Sequence, residues 1–143
     1  MYIYILTPIV AFILAQGLKV IIRSFKKKIT LHDIFAYSDM PSGHTSVVTS
    51  VAAIIGLKLG LDSPTFAVAF VFATIVIVDA IGLRNYLGQH GKTLNILVRD
   101  LKEDDFLDNY YPKLLEKIGH TPLQVIAGAT IGIVTSIISW LIF

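Results

Sequence analysis

The stretch that decides the fold runs from Pro64 to Ile81 and reads PTFAVAFVFATIVIVDAI. Its only charged side chain is that of Asp79, near the end of the stretch. A helix of about 20 mostly apolar residues is long enough to cross the hydrocarbon core of a bilayer. The sequence therefore predicts a membrane-spanning helix over residues 64–81.

Three more apolar segments surround this one, at residues 3–22, 45–61 and 122–143. The mean hydropathy of the chain is +0.73 and only 15% of its residues are charged, against about 25% in an ordinary soluble domain. We expect the first segment to be a retained span, because it lacks the flanking residues of a cleaved signal peptide. The sequence thus predicts an all-α integral membrane bundle of about four transmembrane helices, with residues 1–143 forming a single membrane-embedded domain.

The basic residues predict how this bundle is oriented. Two long polar connections, residues 23–44 and 85–121, fall on the same side of the membrane, and a short turn at residues 60–64 falls on the other. Ten of the 12 Lys and Arg residues flank the first side: Arg23, Lys26, Lys27, Lys28, Arg84, Lys92, Arg99, Lys102, Lys113 and Lys117. The excess of positive charge in cytoplasmic loops then predicts a multi-pass protein of the cell membrane, with both long connections in the cytoplasm and both termini outside.

The second long connection has apolar residues at helical spacing, Leu94, Leu97, Val98 and Leu101, followed by an acidic break at residues 103–105. This pattern predicts a surface helical region over residues 85–118, made of two short helices near the membrane. In the last span, Gly128 and Gly132 are spaced for close helix packing.

Composition excludes several function classes. The chain has no cysteine, which removes disulfides, thiolate metal sites and a cysteine nucleophile. The net charge of +2 is small and the basic residues lie beside the spans, so a membrane surface is a better partner for them than nucleic acid. We expect the lipid bilayer as partner and no cofactor, and a homo-oligomer is left open.

The most informative polar stretch is Asp39-Met40-Pro41-Ser42-Gly43-His44-Thr45-Ser46, where the second span begins. Backbone N–H groups at the start of a helix form a ready anion site. A histidine with an ordinary pKa of about 6.5 can donate a proton to the leaving oxygen of a phosphate ester near neutral pH. The simpler interpretation is a capped helix with an interfacial histidine.

A similar arrangement, His120-Thr121-Pro122, opens the fourth span. Thr121 can cap the helix and Pro122 suits its first turn, which leaves His120 at the entrance. A histidine nitrogen can attack phosphorus to form a phosphoenzyme. A capping or interfacial role is again the simpler alternative.

Charged residues inside spans are costly, so Lys19 and Asp79 are candidates for function. Gln16 and Arg23 share a helix face with Lys19, and the planar guanidinium of Arg84 suits phosphate oxygens. Asp79 could orient a histidine or pair with Lys19 or Arg84. The alternatives are a snorkelling lysine and a structural ion pair.

Position makes these candidates more informative together than alone. The four predicted spans bring the following residues to one side at one depth: Lys19, His44, Asp79, Arg84 and His120. Scattered polar residues would rarely coincide in this way.

The motif at residues 41–44 resembles the PSGH signature of the phosphatidic acid phosphatase type 2 and vanadium haloperoxidase superfamily. The four-span layout with residues 79–84, Gln89, Asn95 and residues 119–123 resembles the small divergent membrane branch of that superfamily. The resemblance implies a general acid at His44, a nucleophile at His120 and a carboxylate that orients the nucleophile. It also implies phosphate contacts from Lys19, Ser42, Gly43 and Arg84, with no metal. We expect Arg23 and Gln89 to contact the phosphate as well.

The chain departs from the superfamily pattern at three places. Lys26-Lys27 stands where the first motif has Arg-Pro, Leu114 stands where the third motif has an arginine, and Gln124 stands where the orienting carboxylate belongs. We therefore expect Arg84 to replace the missing arginine and Asp79 to act as the orienting carboxylate.

The leading hypothesis is a metal-independent membrane phosphatase with a phosphohistidine intermediate, acting on a lipid or isoprenoid phosphate in the inner leaflet. The second hypothesis is a catalytically silent membrane protein that keeps an anion or lipid-headgroup pocket. A metal site made of His44, His120 and Asp79 ranks lowest, because the sequence has no close-spaced pair of ligands.

Overall fold

The computed structural model describes residues 2–25, 39–100 and 113–143, and all regular structure within these ranges is helical. The helices are α1 (Ile3–Ser24), α2 (Gly43–Leu59), α3 (Pro64–Ile81), α4 (Leu83–Asp100) and α5 (Pro122–Ile142). Within these ranges, three helical segments are long and apolar enough to cross a membrane: α1, α5 and the run from Pro64 to Asp100 that contains α3. Helix α2 is a shorter apolar helix of 17 residues. The prediction of a small helical membrane bundle is confirmed.

The outer surface of this bundle is apolar. Large side chains on three of the helices are more than half exposed, among them Ile5 (63%), Val68 (71%), Phe70 (58%) and Leu141 (70%). Exposing so much apolar surface to water is unfavourable, whereas lipid tails are as apolar as these side chains. These side chains mark the surface that faces the hydrocarbon core.

Hydroxyl caps fix where three helices begin. The side-chain oxygen of Ser42 accepts the N–H of Thr45 at the start of α2, and that of Ser63 accepts the N–H of Phe66 at the start of α3. Thr121 caps α5 in the same way. Because these caps satisfy backbone N–H groups that a helix cannot satisfy itself, they set the helix starts to the residue.

Helix α2 begins and ends two residues earlier than the predicted span over residues 45–61. It begins earlier because Ser42 is the cap, which places His44 inside the first turn. It ends earlier because Gly60 adopts a φ of +86°, a conformation that favours glycine and stops an α-helix.

Helix α2 is the centre of the bundle and packs against α1, α3 and α5. Its contact with α3 is a small apolar cluster in which Val48, Ala52 and Ile55 meet Ala69 and Ala73. Its contact with α5 is polar and much closer, because glycines of α5 lie directly against the backbone of α2.

Two glycines make the α2–α5 contact. A Cβ atom on Gly128 would collide with the carbonyl oxygen of Ser42, and one on Gly132 would collide with the hydroxyl of Thr49 and the carbonyl oxygen of Ser46. The expected role of this glycine pair in close packing is therefore visible in the structure.

Buried hydroxyls also join the helices. The hydroxyl of Ser136 on α5 donates to the carbonyl oxygen of Ser50 on α2 at 3.0 Å, and that of Ser46 on α2 donates to the carbonyl oxygen of Ala11 on α1 at 3.3 Å. Both α1 and α5 are thus bonded to α2 within the hydrocarbon depth of the bundle.

The connection from α3 to α5 differs from its prediction. Helix α3 ends at Ile81, and α4 begins at Leu83 after the single residue Gly82 and is continuous to Asp100. Residues 113–121, of which 113–118 were predicted to be helical, are not helical. The predicted break at residues 103–105 lies outside the described residues.

The physical reason is that residues 113–121, the return segment, are held to α4 through their own backbone groups. The carboxamide of Asn95 accepts the N–H of Leu114 and donates to the Leu114 carbonyl oxygen, both at 2.9 Å. Gly88 and Gly91 let the Glu116 and Leu115 carbonyl oxygens approach the helix closely. A helical return segment could not present these groups to α4.

The α2–α5 contact generates a stability prediction. Gly132→Ala places a Cβ against Ser46 and Thr49, and we expect it to lower the free energy of unfolding by about 1–3 kcal/mol, the usual cost of overpacking. The control is Gly17→Ala on α1, where an added Cβ meets nothing within 4 Å. Circular dichroism during thermal unfolding in detergent measures both, and equal midpoints would contradict the packing.

Candidate functional site

The site lies where four helix ends meet. The N–H of His120, just before α5, donates to the carbonyl oxygen of Ala80 at the end of α3 (2.9 Å). The N–H of Ser42, just before α2, donates to the carbonyl oxygen of Gln124 in the first turn of α5 (3.0 Å). On α1, the side chain of Gln16 lies beside Gly43. The starts of α2 and α5 and the ends of α1 and α3 therefore share one end of the bundle.

His120 is the most deeply placed histidine of this site, with 3% of its surface exposed. It precedes the span formed by α5. Burial, followed by the nearby Lys19, His44 and Arg84, lowers the pKa of His120 to about 4. Its imidazole is therefore neutral at pH 7, and a neutral ring nitrogen is what nucleophilic attack requires.

His44 differs from His120 in exposure. It is the second residue of α2 and is exposed at the mouth of the site. It interacts electrostatically with Arg84, Lys19 and Asp79. The two histidines also interact with each other, so one buried and one exposed imidazole face a common region.

Two ion pairs frame this region. The Nε of Arg84 donates to a carboxylate oxygen of Asp79 at 2.6 Å, and Arg23 pairs with Asp39. The sequence suggested Lys19 or Arg84 as the partner of Asp79, and the structure shows the pair with Arg84. Asp79 therefore positions the guanidinium of Arg84. This bond uses one of the five N–H donors of the Arg84 guanidinium, whose fork suits an oxyanion.

Among the cations that the structure describes, Lys19 is the most deeply buried, with 4% of its surface exposed. It interacts electrostatically with Asp39, and it also acts on both His44 and His120. A buried ammonium beside two imidazoles makes this end of the bundle favourable for an anion.

The start of α2 contributes backbone donors. The N–H groups of Gly43 and His44 belong to the first turn, where the helix has no carbonyl of its own to accept from them. The hydroxyl of Ser42, predicted to contact phosphate, is fully buried and accepts from the hydroxyl of Thr45 at 2.9 Å. Its role in this structure is to fix the helix start.

The remaining predicted residues lie farther out. Arg23 lies in the last turn of α1 and is paired with Asp39, while Gln89 is exposed on α4. Within the described residues no three His, Asp or Glu side chains are grouped to hold a metal ion, so the metal triad of His44, His120 and Asp79 is not assembled.

Gln124 has a structural task that its position in the motif did not suggest. Its side-chain oxygen accepts the N–H of Thr121 at 2.8 Å, and its own N–H donates to the hydroxyl of Thr121. This reciprocal pair is a capping box, and the spacing Thr-x-x-Gln was the signal for it. The oxygen of Gln124 therefore serves the backbone of α5.

Comparison with known proteins identifies the family to which this arrangement belongs. The sequence model of the Divergent PAP2 family matches residues 3–135. The chain belongs to the Divergent PAP2 family. A relative from Bacillus subtilis (strain 168), described as "Uncharacterized membrane protein YuiD", is 32% identical over 144 aligned residues that cover 94% of this chain and 91% of the relative. No solved structure matches the chain.

For this member of the Divergent PAP2 family, two site features had no clear signal in the sequence. Asp39 pairs with Arg23 and acts on both Lys19 and His120, although it stands in a loop without a periodic pattern. Gln16 lies against the start of α2. Its position on the face of Lys19 was the only signal, and helix periodicity alone does not say what that face contacts.

The lowered pKa of His120 generates a prediction on pH. A folded-state value near 4, below the ordinary 6.5, means that protonation favours the unfolded chain. The stability that depends on neutral His120 is complete above about pH 6.5 and is lost as the pH falls towards 4. We expect the unfolding midpoint to fall less over this interval in His120→Gln than in the unmodified chain. An NMR titration of the His120 ring with a midpoint near 6.5 would contradict this assignment.

Proposed function

We propose that the protein is a membrane phosphatase that removes a phosphate monoester from a lipid or isoprenoid phosphate through a phosphohistidine intermediate. The observation that carries the proposal is the meeting of a buried neutral His120 with an exposed His44 at a mouth that also holds Lys19 and Arg84. Membership of the Divergent PAP2 family supports a phosphatase-related ancestry.

Binding depends on electrostatic complementarity. The phosphoryl oxygens are held by the ammonium of Lys19, the guanidinium of Arg84 and the N–H groups of Gly43 and His44. Asp79 keeps Arg84 in place through the 2.6 Å ion pair. Such preorganised donors stabilise the charge that develops on phosphorus-bound oxygens and need no reorganisation during the reaction. Arg23 and Gln89 contribute at the rim, and no cofactor takes part.

The reaction has two steps. In the first, a ring nitrogen of His120 forms a bond to phosphorus while the ester P–O bond breaks, and protonated His44 gives its proton to the departing lipid alkoxide oxygen. In the second, His44 takes a proton from water, the resulting hydroxide attacks phosphorus, and the bond from His120 to phosphorus breaks. Inorganic phosphate leaves, and both histidines return to their starting states.

The substrate is proposed to be a lipid because of where the site lies. The mouth opens at one end of helices whose outer surfaces are apolar, so a phosphate headgroup can enter while its hydrocarbon chain stays beside α1, α3 and α5. Helix α4 adds an exposed apolar face, with Leu87 at 56% and Leu94 at 48% exposure, which suits the boundary between headgroups and tails.

A second candidate function is binding of an anionic headgroup without turnover. Two observations favour it: the oxygen of Gln124 is occupied by the cap of α5, and Asp79 is paired with Arg84. Neither group then stabilises an imidazolium at His120. This candidate predicts tight binding of phosphate analogues and no release of phosphate from any lipid.

Alanine substitutions test the mechanism. We expect His120→Ala and His44→Ala each to lower the rate of phosphate release at least about 100-fold, because each removes a group that takes part in bond making or proton transfer. The matched control is His90→Ala, since His90 is exposed on α4 and the reaction does not use it. The assay measures phosphate released from phosphatidic acid, phosphatidylglycerol phosphate and prenyl phosphates by protein purified in detergent.

The outcomes separate the two candidate functions. Loss of activity in both site variants, with full activity in the control, supports the phosphatase. Full activity in both site variants rules out the proposed roles of the histidines. An inactive unmodified protein that still binds orthovanadate supports the silent pocket.

We propose further that the site faces the cytoplasm and that both termini lie outside. Because the chain has no cysteine, one introduced cysteine is a clean reporter. We expect a membrane-impermeant maleimide to label exposed Asp62→Cys in intact cells, and to label exposed Lys117→Cys only after the cells are permeabilised. The reverse pattern would place the site on the outer face.

A further inference from the structure

Among the described residues, two buried side-chain polar atoms have no hydrogen-bond partner. They are the carboxamide oxygen of Gln16 and the Nδ1 of His120. Buried polar groups are nearly always paired, so an unpaired one within a candidate site often indicates the position of a ligand. His120 is already assigned to the reaction, whereas Gln16 has no assigned role.

Gln16 lies at the base of the proposed phosphate site. It is on α1, one turn before Lys19, on the face that turns towards the other helices. Its carboxamide carbon is 3.8 Å from where a Cβ atom on Gly43 would stand. Gly43 is the first residue of α2, so Gln16 lies directly against the helix start that offers free N–H donors.

A carboxamide in this position can contact the same anion as those N–H groups. Rotation of the terminal torsion by about 180° exchanges its oxygen and nitrogen, which differ little in size. The buried position then carries an NH₂ group, which has two donors and no charge. An uncharged donor suits a place farther from the end of α1 than Lys19, because a second charge there would be costly.

We infer that Gln16 is a further phosphate-binding residue of this site, and that its NH₂ group donates to an oxygen of the bound phosphoryl group. The inference rests on the proposed function and deepens it. Gln16 contacts the phosphoryl group from the side of the membrane interior, and Lys19 and Arg84 contact it with their charged groups. His120 approaches phosphorus from the start of α5.

A competing role for Gln16 is to accept a hydrogen bond from the Nδ1–H of His120 and orient that ring. The two roles respond in opposite ways to Gln16→Glu, which keeps the size of the side chain. A carboxylate beside a phosphoryl group repels it, whereas a carboxylate beside Nδ1–H strengthens that bond and raises the pKa of the imidazole.

The test is binding of orthovanadate, a phosphate analogue, to the full-length protein in detergent, measured by isothermal titration calorimetry. Gln16→Leu removes the donors, and we expect it to weaken binding about 10-fold or more, as for loss of a hydrogen bond to a charged group. We expect Gln16→Glu to weaken vanadate binding further, without raising the pH at which this binding changes. The control is Gly17→Ala, the neighbouring position with open space.

Each other outcome overturns the inference. If the unmodified protein binds vanadate and Gln16→Leu binds it equally well, Gln16 is not a ligand, while the proposed function survives. If Gln16→Glu keeps its affinity and raises the pH at which binding changes, Gln16 orients His120. If the unmodified protein binds no vanadate, both the inference and the proposed function fail. If Gln16→Leu unfolds at a lower temperature than the control, its vanadate affinity is not used. The vanadate affinity of the nearly isosteric Gln16→Glu variant then decides whether Gln16 is a ligand.

Discussion

The close approach of α5 to α2 is the constraint on which the site depends. Gly128 and Gly132 allow the backbone of α5 to touch that of α2, and the N–H of Ser42 reaches the Gln124 carbonyl oxygen only because the two helices are so near. This bond sets the start of α2 beside the start of α5. Without this bond, His44, which follows the cap of α2, and His120, which precedes the cap of α5, would have no fixed position relative to each other. No anion could then contact both histidines.

The charges at this end of the bundle are arranged in two layers. The outer layer consists of the partly exposed pairs Arg84–Asp79 and Arg23–Asp39, which hold the guanidinium groups in place. The inner layer consists of buried Lys19 and the neutral ring of His120. Since burial disfavours a charged imidazole, the inner layer presents one cation and one neutral imidazole together. In the proposed reaction this combination attracts the phosphoryl group and keeps the attacking nitrogen unprotonated.

Much of this could be predicted from the sequence, and the exceptions have physical reasons. Apolar length and caps predicted the four apolar helices α1, α2, α3 and α5 to within about two residues, because hydropathy and hydroxyl capping are local. The irregular return segment was not predicted, because its conformation depends on the Asn95 side chain 19 positions away in the chain. Gln124 was interpreted through its motif position, and the capping box that it forms with Thr121 was overlooked. Which cation Asp79 pairs with also had to await the structure, because the sequence allowed both Lys19 and Arg84.

The central claim is that helix ends from separate spans surround one phosphoryl group between two histidines. The most direct measurement is an experimental structure of the protein with orthovanadate, whose five-coordinate form mimics phosphorus during transfer. The account predicts vanadium bonded to a ring nitrogen of His120, with its oxygens contacting Lys19, Arg84 and the N–H groups that open α2. Vanadate bound away from His120, or imidazoles of His44 and His120 too far apart to contact one vanadate, would contradict it.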